Sequence, residues 1–262
     1  MKKILLLLGV LLSLSASAQK VIILGDMNDD GDLTVDDVTL LTSTLLGERD
    51  VQQHRCKDLN GHEYVDLGLP SKTLWATCNI GATSPEDNGS YFAWAEVEPK
   101  SNYEWSTYRY AKYNSTSRTY TPSKYHTVAS NELEPDDDAA YVLWGPAWRM
   151  PTIAQLNELR TNCTCTKATI HEKAGFLFTS KHNGATLFLP AAGYSNGTKV
   201  YNEGTDGIYY SRNNQAHLFG SQSGSFPEYA DYLTIKDGTP SINHSTRYNG
   251  RTIRPVCIYP AE

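Results

Sequence analysis

Five Asn-Gly or Asp-Gly dipeptides punctuate the chain after residue 180 and constrain its fold more than any other feature. They begin at Asn183, Asn196, Asp206, Asp237 and Asn249. Glycine after Asn or Asp provides the positive φ angles of tight hairpin turns, so each dipeptide predicts a reversal between two strands. The intervals hold short runs rich in β-branched and aromatic residues, and helical periodicity is nearly absent. The sequence from residue 60 onward therefore predicts a mostly β domain.

Predicted strands and one helix complete this interpretation. Thr152 is suited to cap a helix, because Ile153, Leu156 and Leu159 recur after it at three-residue spacing. The fold class is predicted as α+β, mostly β, with one or two helices on a small twisted sheet. The predicted strands are 73–77, 91–96, 175–179, 185–189, 208–211, 230–235 and 252–259.

The first 18 residues, 1–18, are predicted to be a secretory signal peptide. Lys2 and Lys3 form a basic start, an apolar run follows, and the small residues 16–18 form a cleavage site before Gln19. The apolar run is shorter than the roughly 20 residues that span a bilayer, so we expect no membrane span. We expect the mature protein to be secreted, to the extracellular medium, the cell surface or the periplasm. Disulfides are permitted in these compartments.

The formal net charge of −6 is concentrated in one short segment. Between Asp26 and Glu48 there are six aspartates and one glutamate but no lysine or arginine. The remainder of the chain is near neutrality and forms no basic patch. Because phosphate binding requires a basic surface, we expect no nucleic-acid partner.

The acidic segment has the spacing of an EF-hand-type calcium loop. Counted from Asp26, side-chain oxygens stand at the first, third and fifth positions, glycine at the sixth and a carboxylate at the twelfth. Calcium prefers about six to eight oxygen ligands, which alternate residues of a tight loop can supply. The alternative interpretation is an acidic, solvated turn before a surface helix. The predicted ligands of Ca²⁺ are Asp26, Asn28, Asp30, Asp32 through its carbonyl, Thr34 directly or through water, and Asp37.

A helix is predicted directly after the loop, with Val38, Leu41 and Leu45 on one face and Gly47 at its end. With aspartate at the twelfth position, residues 25–47 resemble one half of a type I dockerin repeat, a module that binds cohesin domains on partner proteins. The resemblance implies a cohesin-like partner. Such repeats usually occur in tandem, and the sequence shows one, so the apolar helix face has the main domain as an alternative contact. We expect the module to span residues 19–48, before a linker at 49–59.

Seven short blocks between residues 60 and 258 carry a second resemblance. They are Glu63–Ser71, Leu74–Ala82, Tyr91–Glu96, Asp137–Ala140, Trp148–Thr152, Leu189–Tyr194 and Arg254–Val256. In this order they resemble the Fibrobacter succinogenes major paralogous domain family, whose members are exported, often surface-associated and of poorly defined function. The helix start and the last block are also similar to the formylglycine-generating-enzyme branch of the C-type-lectin fold. The resemblance implies a C-type-lectin-like domain over residues 60–262.

In that fold, irregular loops supported by the terminal strands form the ligand surface. The resemblance therefore implies ligand contacts between the block at Tyr210 and the final strand. The alternative is that these are solvated loop residues whose side chains hold turns. The expected ligand-binding residues are Tyr210, Arg212, Asn213, Asn243, His244, Arg247 and Tyr248.

A second candidate surface is an aromatic-rich stretch. Its rings are suited to stack on sugars, or else to fill a small core beneath a long loop. The stretch contains Tyr103, Trp105, Tyr108, Tyr110, Tyr113, Tyr120 and Tyr125.

The five cysteines leave one thiol unpaired in any full set of disulfides. By analogy with the lectin fold, Cys163 and Cys257 imply a bridge between the helix and the final strand. The pairing of Cys56, Cys78 and Cys165 stays open.

Catalytic patterns are sparse. No histidine pair has zinc-site spacing and no Gly-x-Ser-x-Gly motif occurs, which leaves the acidic run 132–138 as the candidate for hydrolysis. We expect a secreted, non-catalytic protein that recognises a glycan or protein ligand. The alternatives are an exported hydrolase or modifying enzyme that acts on polysaccharide, and a structural or scaffold-associated surface protein.

Overall fold

The computed structural model describes residues 55–57, 61–127, 131–214 and 228–258, without the side chains of 55–57 and 258. The predicted signal peptide and calcium module lie outside the described residues. So do the expected Ca²⁺ ligands Asp26, Asn28, Asp30, Asp32, Thr34 and Asp37, and most of the linker. These assignments stay predictions.

Strands dominate the described residues, which confirms the mostly β, α+β prediction. They are accompanied by two α-helices, α1 (Ala139–Trp144) and α2 (Ile153–Asn162), and by single 3₁₀ turns at Trp105–Thr107 and Pro135–Asp137. The strands are β1 (Arg55–Lys57), β2 (Glu63–Asp66), β3 (Thr73–Ala76), β4 (Ala111–Asn114), β5 (Thr119–Pro122), β6 (Cys163–Ile170), β7 (Lys173–Ser180), β8 (Thr186–Pro190), β9 (Tyr194–Asn196), β10 (Lys199–Tyr201), β11 (Asp206–Asn214), β12 (Tyr229–Lys236), β13 (Thr239–Thr246) and β14 (Val256–Ile258).

The described strands form three antiparallel sheets and two separate hairpins. The first sheet has the order β1-β2-β3-β14, so the last of the described strands pairs beside the first three. Within it, Trp75 pairs with Val65 on one side and with Val256 on the other. The other sheets are β6-β7-β8 and β11-β12-β13, and the hairpins are β4-β5 and β9-β10.

Helix α2 begins where the sequence predicts. The Thr152 hydroxyl accepts a hydrogen bond from the Gln155 amide at 3.1 Å, and the Gln155 side chain accepts one from the Thr152 amide at 2.9 Å. This reciprocal capping box satisfies two amides that would otherwise lack partners. Leu156 and Leu159, on the inner face of the helix, are buried.

Helix α1 was not predicted from the sequence. Asp138 caps it, accepting hydrogen bonds from the Ala140 amide at 3.0 Å and from the Tyr141 amide at 3.3 Å. The same carboxylate forms a 2.7 Å salt bridge with Arg149. The helix has six residues, which is too short for hydrophobic periodicity to mark it.

Four of the five turn predictions are confirmed. Asn183 lies in the turn between β7 and β8, and Asn196 ends β9 at the reversal into β10. Asn249 lies in the turn after β13, and Asp237-Gly238 joins β12 to β13 with φ angles of 53° and 79°. The prediction at Asp206 is wrong, because Asp206 and Gly207 lie inside β11.

Close packing explains the glycine at position 207. A Cβ atom there would meet Ile235 at 3.1 Å and the ring of Phe176 at 3.2 Å. The glycine thus lets the Ile235 side chain of β12 and the Phe176 ring of β7 pack against the backbone of β11, rather than letting the chain turn.

Two strand predictions also need correction. Residues 91–96 form only a single bridge, Phe92 to Arg251, because Ala95 has a φ of 68° that ends the extended run. The predicted strand 252–259 is reduced to Val256–Ile258. Both segments are buried, so their apolar composition reflects burial rather than strand pairing.

Two large apolar clusters and a small third one form the core of the described residues. The first contains Trp75 and Cys163, and the second contains Trp94, Trp148 and Cys257. Cys163 is a free thiol, and burial raises its pKa to about 11. The expected bridge between Cys163 and Cys257 is therefore not formed, since the two side chains belong to different clusters.

Candidate ligand-binding groove

Tyr210 and Arg247, both expected to contact ligand, lie in the interior with 0% exposure. The Tyr210 hydroxyl donates to the Asn249 carbonyl at 2.8 Å and accepts from Nη1 of Arg251 at 2.8 Å. Burial raises the pKa of Tyr210 to about 12, so this hydroxyl stays neutral near pH 7. Tyr210 therefore anchors the segment that follows β13 to the core.

Arg247 anchors the same segment from the other side. Its guanidinium donates to the carbonyls of Lys124, at 2.8 Å, and of Tyr125, and its centre lies 4.9 Å from the ring centroid of Trp94. A cation over an indole face is attracted by the ring quadrupole. The expectation that Tyr210 and Arg247 touch ligand is wrong, because neither side chain is accessible from solvent.

Two more of the expected ligand residues have structural contacts. Asn213 is 8% exposed, and its Oδ1 accepts a 2.9 Å hydrogen bond from the Ile153 amide at the start of α2. Arg212 donates to the Glu132 carboxylate at 3.1 Å. Asn213 thus joins β11 to α2.

The acidic run that suggested hydrolysis contributes to the framework. The buried Asp137 carboxylate accepts hydrogen bonds from the Tyr110 hydroxyl, the Tyr125 hydroxyl at 2.6 Å and the Lys124 ammonium at 2.6 Å. Burial by itself raises the pKa of Asp137, but these three donors outweigh it and lower the pKa below its ordinary value. Asp138 caps α1. Both carboxylates are therefore occupied by structural contacts.

An open groove of about 620 Å³ lies between hairpin β4-β5 and the adjoining ends of β12 and β13. Its volume falls within the range of about 300–1,000 Å³ that is typical of small-ligand sites. Its lining includes three aromatic residues, a histidine, a glutamate and two threonines. We call it the aromatic groove; its lining residues are Trp105, Tyr120, Thr121, Pro122, His126, Glu228, Tyr229 and Thr246.

Two of the expected ligand residues support rings of the aromatic groove. The Tyr248 ring lies 5.3 Å from that of Trp105 at an angle of 61°. The His244 ring is stacked on Tyr229 at 5.7 Å. These contacts hold Trp105 and Tyr229 in place while leaving His244 exposed.

Asn243 is also exposed but lies on the other face of β13. Successive side chains of a strand alternate between faces, and Thr246 and His244 share the face that meets the groove. The structure thus brings His244 and Tyr248 to the groove and keeps Asn243 away from it.

Both interpretations of the aromatic stretch hold for part of it. Tyr103 and Tyr108 belong to the small third cluster, and Tyr125 lies in the second. Tyr113 and Tyr120 are instead 52% and 36% exposed. The two ends of the stretch therefore fill the core, and Tyr113 and Tyr120 between them face solvent.

Sequence reasoning missed Tyr229, Glu228, His126 and Thr246. No local pattern distinguishes them, because they reach the groove through tertiary structure. Tyr229 is opposite Thr246 in the pairing of β12 with β13, which places both at one end of the sheet.

A second cavity, of about 590 Å³, has a mixed polar and apolar lining and lies between β6, β7, the turn 202–205 and the start of β11. Lys167 and Asp237 at its rim form a 2.8 Å ion pair. Phe176 is its sole aromatic lining residue and is buried, so this cavity offers no exposed ring for stacking.

In the part of the chain that the structure describes, no group of three or more His, Cys, Asp or Glu side chains is placed to hold a metal ion. Across the same residues, no helix combines the length and the apolar character that crossing a bilayer requires.

Comparison with known proteins found no match among family models, curated proteins or solved structures.

Proposed function

We propose that the chain is a secreted, non-catalytic glycan-binding protein whose ligand lies in the aromatic groove. The observation that carries the proposal is that Trp105, Tyr120 and Tyr229 all line one groove that is open to solvent. Sugar rings have apolar C–H faces that pack well on aromatic rings, and the contact removes apolar area of both partners from water.

The polar groups of the groove suit the hydroxyl groups of a sugar. Thr246 offers a hydroxyl that both donates and accepts, and Glu228 offers an acceptor. The Thr121 hydroxyl, which donates to the Lys112 carbonyl at 3.5 Å, can still accept, and His126 offers either role according to its tautomer. A few polar groups beside an apolar surface orient a ligand and supply specificity. Sugar hydroxyls match this mixture better than a purely apolar ligand does.

The proposal includes a C-type-lectin-like architecture for residues 60–262. The pairing of β14 with β3 supports it. It brings the chain back to its first sheet directly after the segment 247–255, which begins beside the groove residue Thr246. The buried Tyr210 and Arg247 hold that segment in place.

For residues 19–48 we propose a calcium-stabilised dockerin-like module that contributes stability or attachment to a cohesin-like partner. This part rests on the ligand spacing from Asp26 to Asp37 and on the helix pattern after it.

Binding of the full mature chain to a glycan array tests the proposal. The array should include gluco-, xylo- and manno-oligosaccharides from disaccharide to hexasaccharide, and calorimetry should follow on each positive. We expect Trp105→Ala to weaken binding at least about tenfold, since stacked aromatic residues dominate such contacts. Trp105→Phe should retain part of the affinity.

Tyr201→Ala is the matched control. Tyr201 is also an exposed ring, 43% accessible and stacked on Tyr194, but it lines no part of the aromatic groove. Its substitution should leave affinity unchanged within about twofold. Absence of binding to every glycan, or equal losses for Trp105→Ala and Tyr201→Ala in folded variants, would contradict the proposal.

A further inference from the structure

We propose that the ligand of the aromatic groove is an extended glycan chain, and that hairpin β4-β5 carries an outer subsite for it at Tyr113. The inference rests on the proposed function and goes further, because it specifies the length of the ligand and a residue outside the groove lining.

Strand register places Tyr113 next to the groove. Tyr113 pairs directly with Tyr120 across β4 and β5, so both rings leave the hairpin on the same face. Their centroids are 5.0 Å apart at an angle of 49°. Because Tyr120 lines the aromatic groove, Tyr113 continues the aromatic surface beyond it.

The exposure of this pair has no structural explanation within the described residues. Neither strand of the hairpin has a buried residue, and Tyr113 is the most exposed of the large apolar side chains described, at 52%. Among the described residues, the Tyr113 ring contacts that of Tyr120. A tyrosine pair that supports no core points to a partner that covers it on binding.

The hairpin is ordered by its own sequence, so it can serve as a fixed wall. Its tip turns at Arg118, which has a φ of 55°, and the Asn114 side chain accepts hydrogen bonds from the Thr116 and Ser117 amides at 2.9 and 3.1 Å. Such an Asx turn fixes the loop before any ligand arrives. A preformed wall lowers the entropic cost of binding.

Rings at Tyr229, Trp105, Tyr120 and Tyr113 thus form a surface that extends from the strand ends to the hairpin. A disaccharide covers part of such a surface. A longer chain reaches the outer ring at Tyr113 and gains affinity there. The ligand class that fits is therefore an oligosaccharide or a segment of polysaccharide.

Calorimetry with the length-graded gluco-, xylo- and manno-oligosaccharides tests this inference in the full mature chain. We expect affinity to rise from disaccharide to hexasaccharide. Tyr113→Ala should lower affinity for the hexasaccharide about tenfold while changing that for the disaccharide less than twofold. Tyr201→Ala should alter neither value, and circular dichroism should show both variants folded.

The outcomes separate the two proposals. Binding that does not depend on length, or a Tyr113→Ala loss that is equal for the disaccharide and the hexasaccharide, would overturn the outer subsite and leave glycan binding intact. If no member of the series and no other glycan binds, both proposals fail.

Discussion

Buried charged side chains determine much of this domain at the scale of single residues. Arg247, Arg251 and Arg254 are at most 2% exposed, and no salt bridge among the described residues includes them. Backbone carbonyls, tyrosine hydroxyls and aromatic faces surround their guanidinium groups instead. Arginine suits such sites, since its planar group both stacks and donates several hydrogen bonds.

Asp137 allows a prediction about pH. Replacing Asp137 by Asn leaves the Lys124 ammonium without that carboxylate partner, and we expect the free energy of unfolding at pH 7 to fall by about 2–4 kcal/mol. Because folding lowers the pKa of Asp137 from its ordinary 3.8, the carboxylate contributes stability above that value. The contribution is lost as the pH falls through the folded-state pKa.

Urea unfolding of Asp137→Asn and the unsubstituted protein from pH 7 to pH 3 measures this effect. The stability difference should shrink below about pH 4. Asp136→Asn is the control, because Asp136 is the exposed neighbour and should change stability by less than about 0.5 kcal/mol. A difference that stays constant over the whole range would contradict the assignment.

At the scale of elements, the acidic segment 26–48 allows a direct test of calcium binding. We expect calorimetry to detect calcium binding to the mature chain, and Asp30→Ala to abolish it, because Asp30 supplies the fifth-position ligand. At a free calcium concentration of one hundred times Kd, binding stabilises the module by about 2.7 kcal/mol.

Asp36→Ala provides the control for this prediction. Asp36 stands at the eleventh position, which supplies no ligand in the predicted loop. The variant removes the same charge and should keep binding. Equal loss of binding in both variants would favour a nonspecific acidic surface, and no binding in the unsubstituted chain would refute the loop.

The sequence could predict elements whose signals are local. Helix α2 was predicted because Thr152 and the spacing of Ile153, Leu156 and Leu159 mark it directly. Hairpin β4-β5 was not, because its strands are exposed on both faces and lack alternation. Asp206-Gly207 was misinterpreted as a turn, because a glycine that allows close strand packing looks the same in sequence as one that allows a reversal.

The candidate site was only partly predictable for a related reason. Trp105 and Tyr120 belong to a visible aromatic stretch, and Tyr248 lies in a predicted ligand segment. Tyr229 reaches them only through strand register, which no short pattern records. Burial likewise separates Tyr210 from Tyr248, although both looked equally suited to a binding loop.

At the scale of the whole molecule, export is the property to test. The chain produced with its first 18 residues in a Gram-negative host should appear outside the cytoplasm with Gln19 as its first residue, as intact mass and N-terminal sequencing would show. Ala18→Arg should block the cleavage, because the site requires small residues. Full-length protein that stays in the cytoplasm would contradict the signal peptide.

The return of β14 to the first sheet has a consequence for biosynthesis. Among the described strands, the ribosome makes this one last, and until it emerges Trp75 lacks its Val256 neighbour and the first sheet lacks its β14 edge. The three buried arginines from Arg247 to Arg254 also reach their carbonyl and aromatic partners only then. The first sheet therefore cannot be completed before the residues of β14 have left the ribosome. For the export that the signal peptide predicts, this late pairing would keep the preceding residues in the extended form that a narrow translocation channel requires.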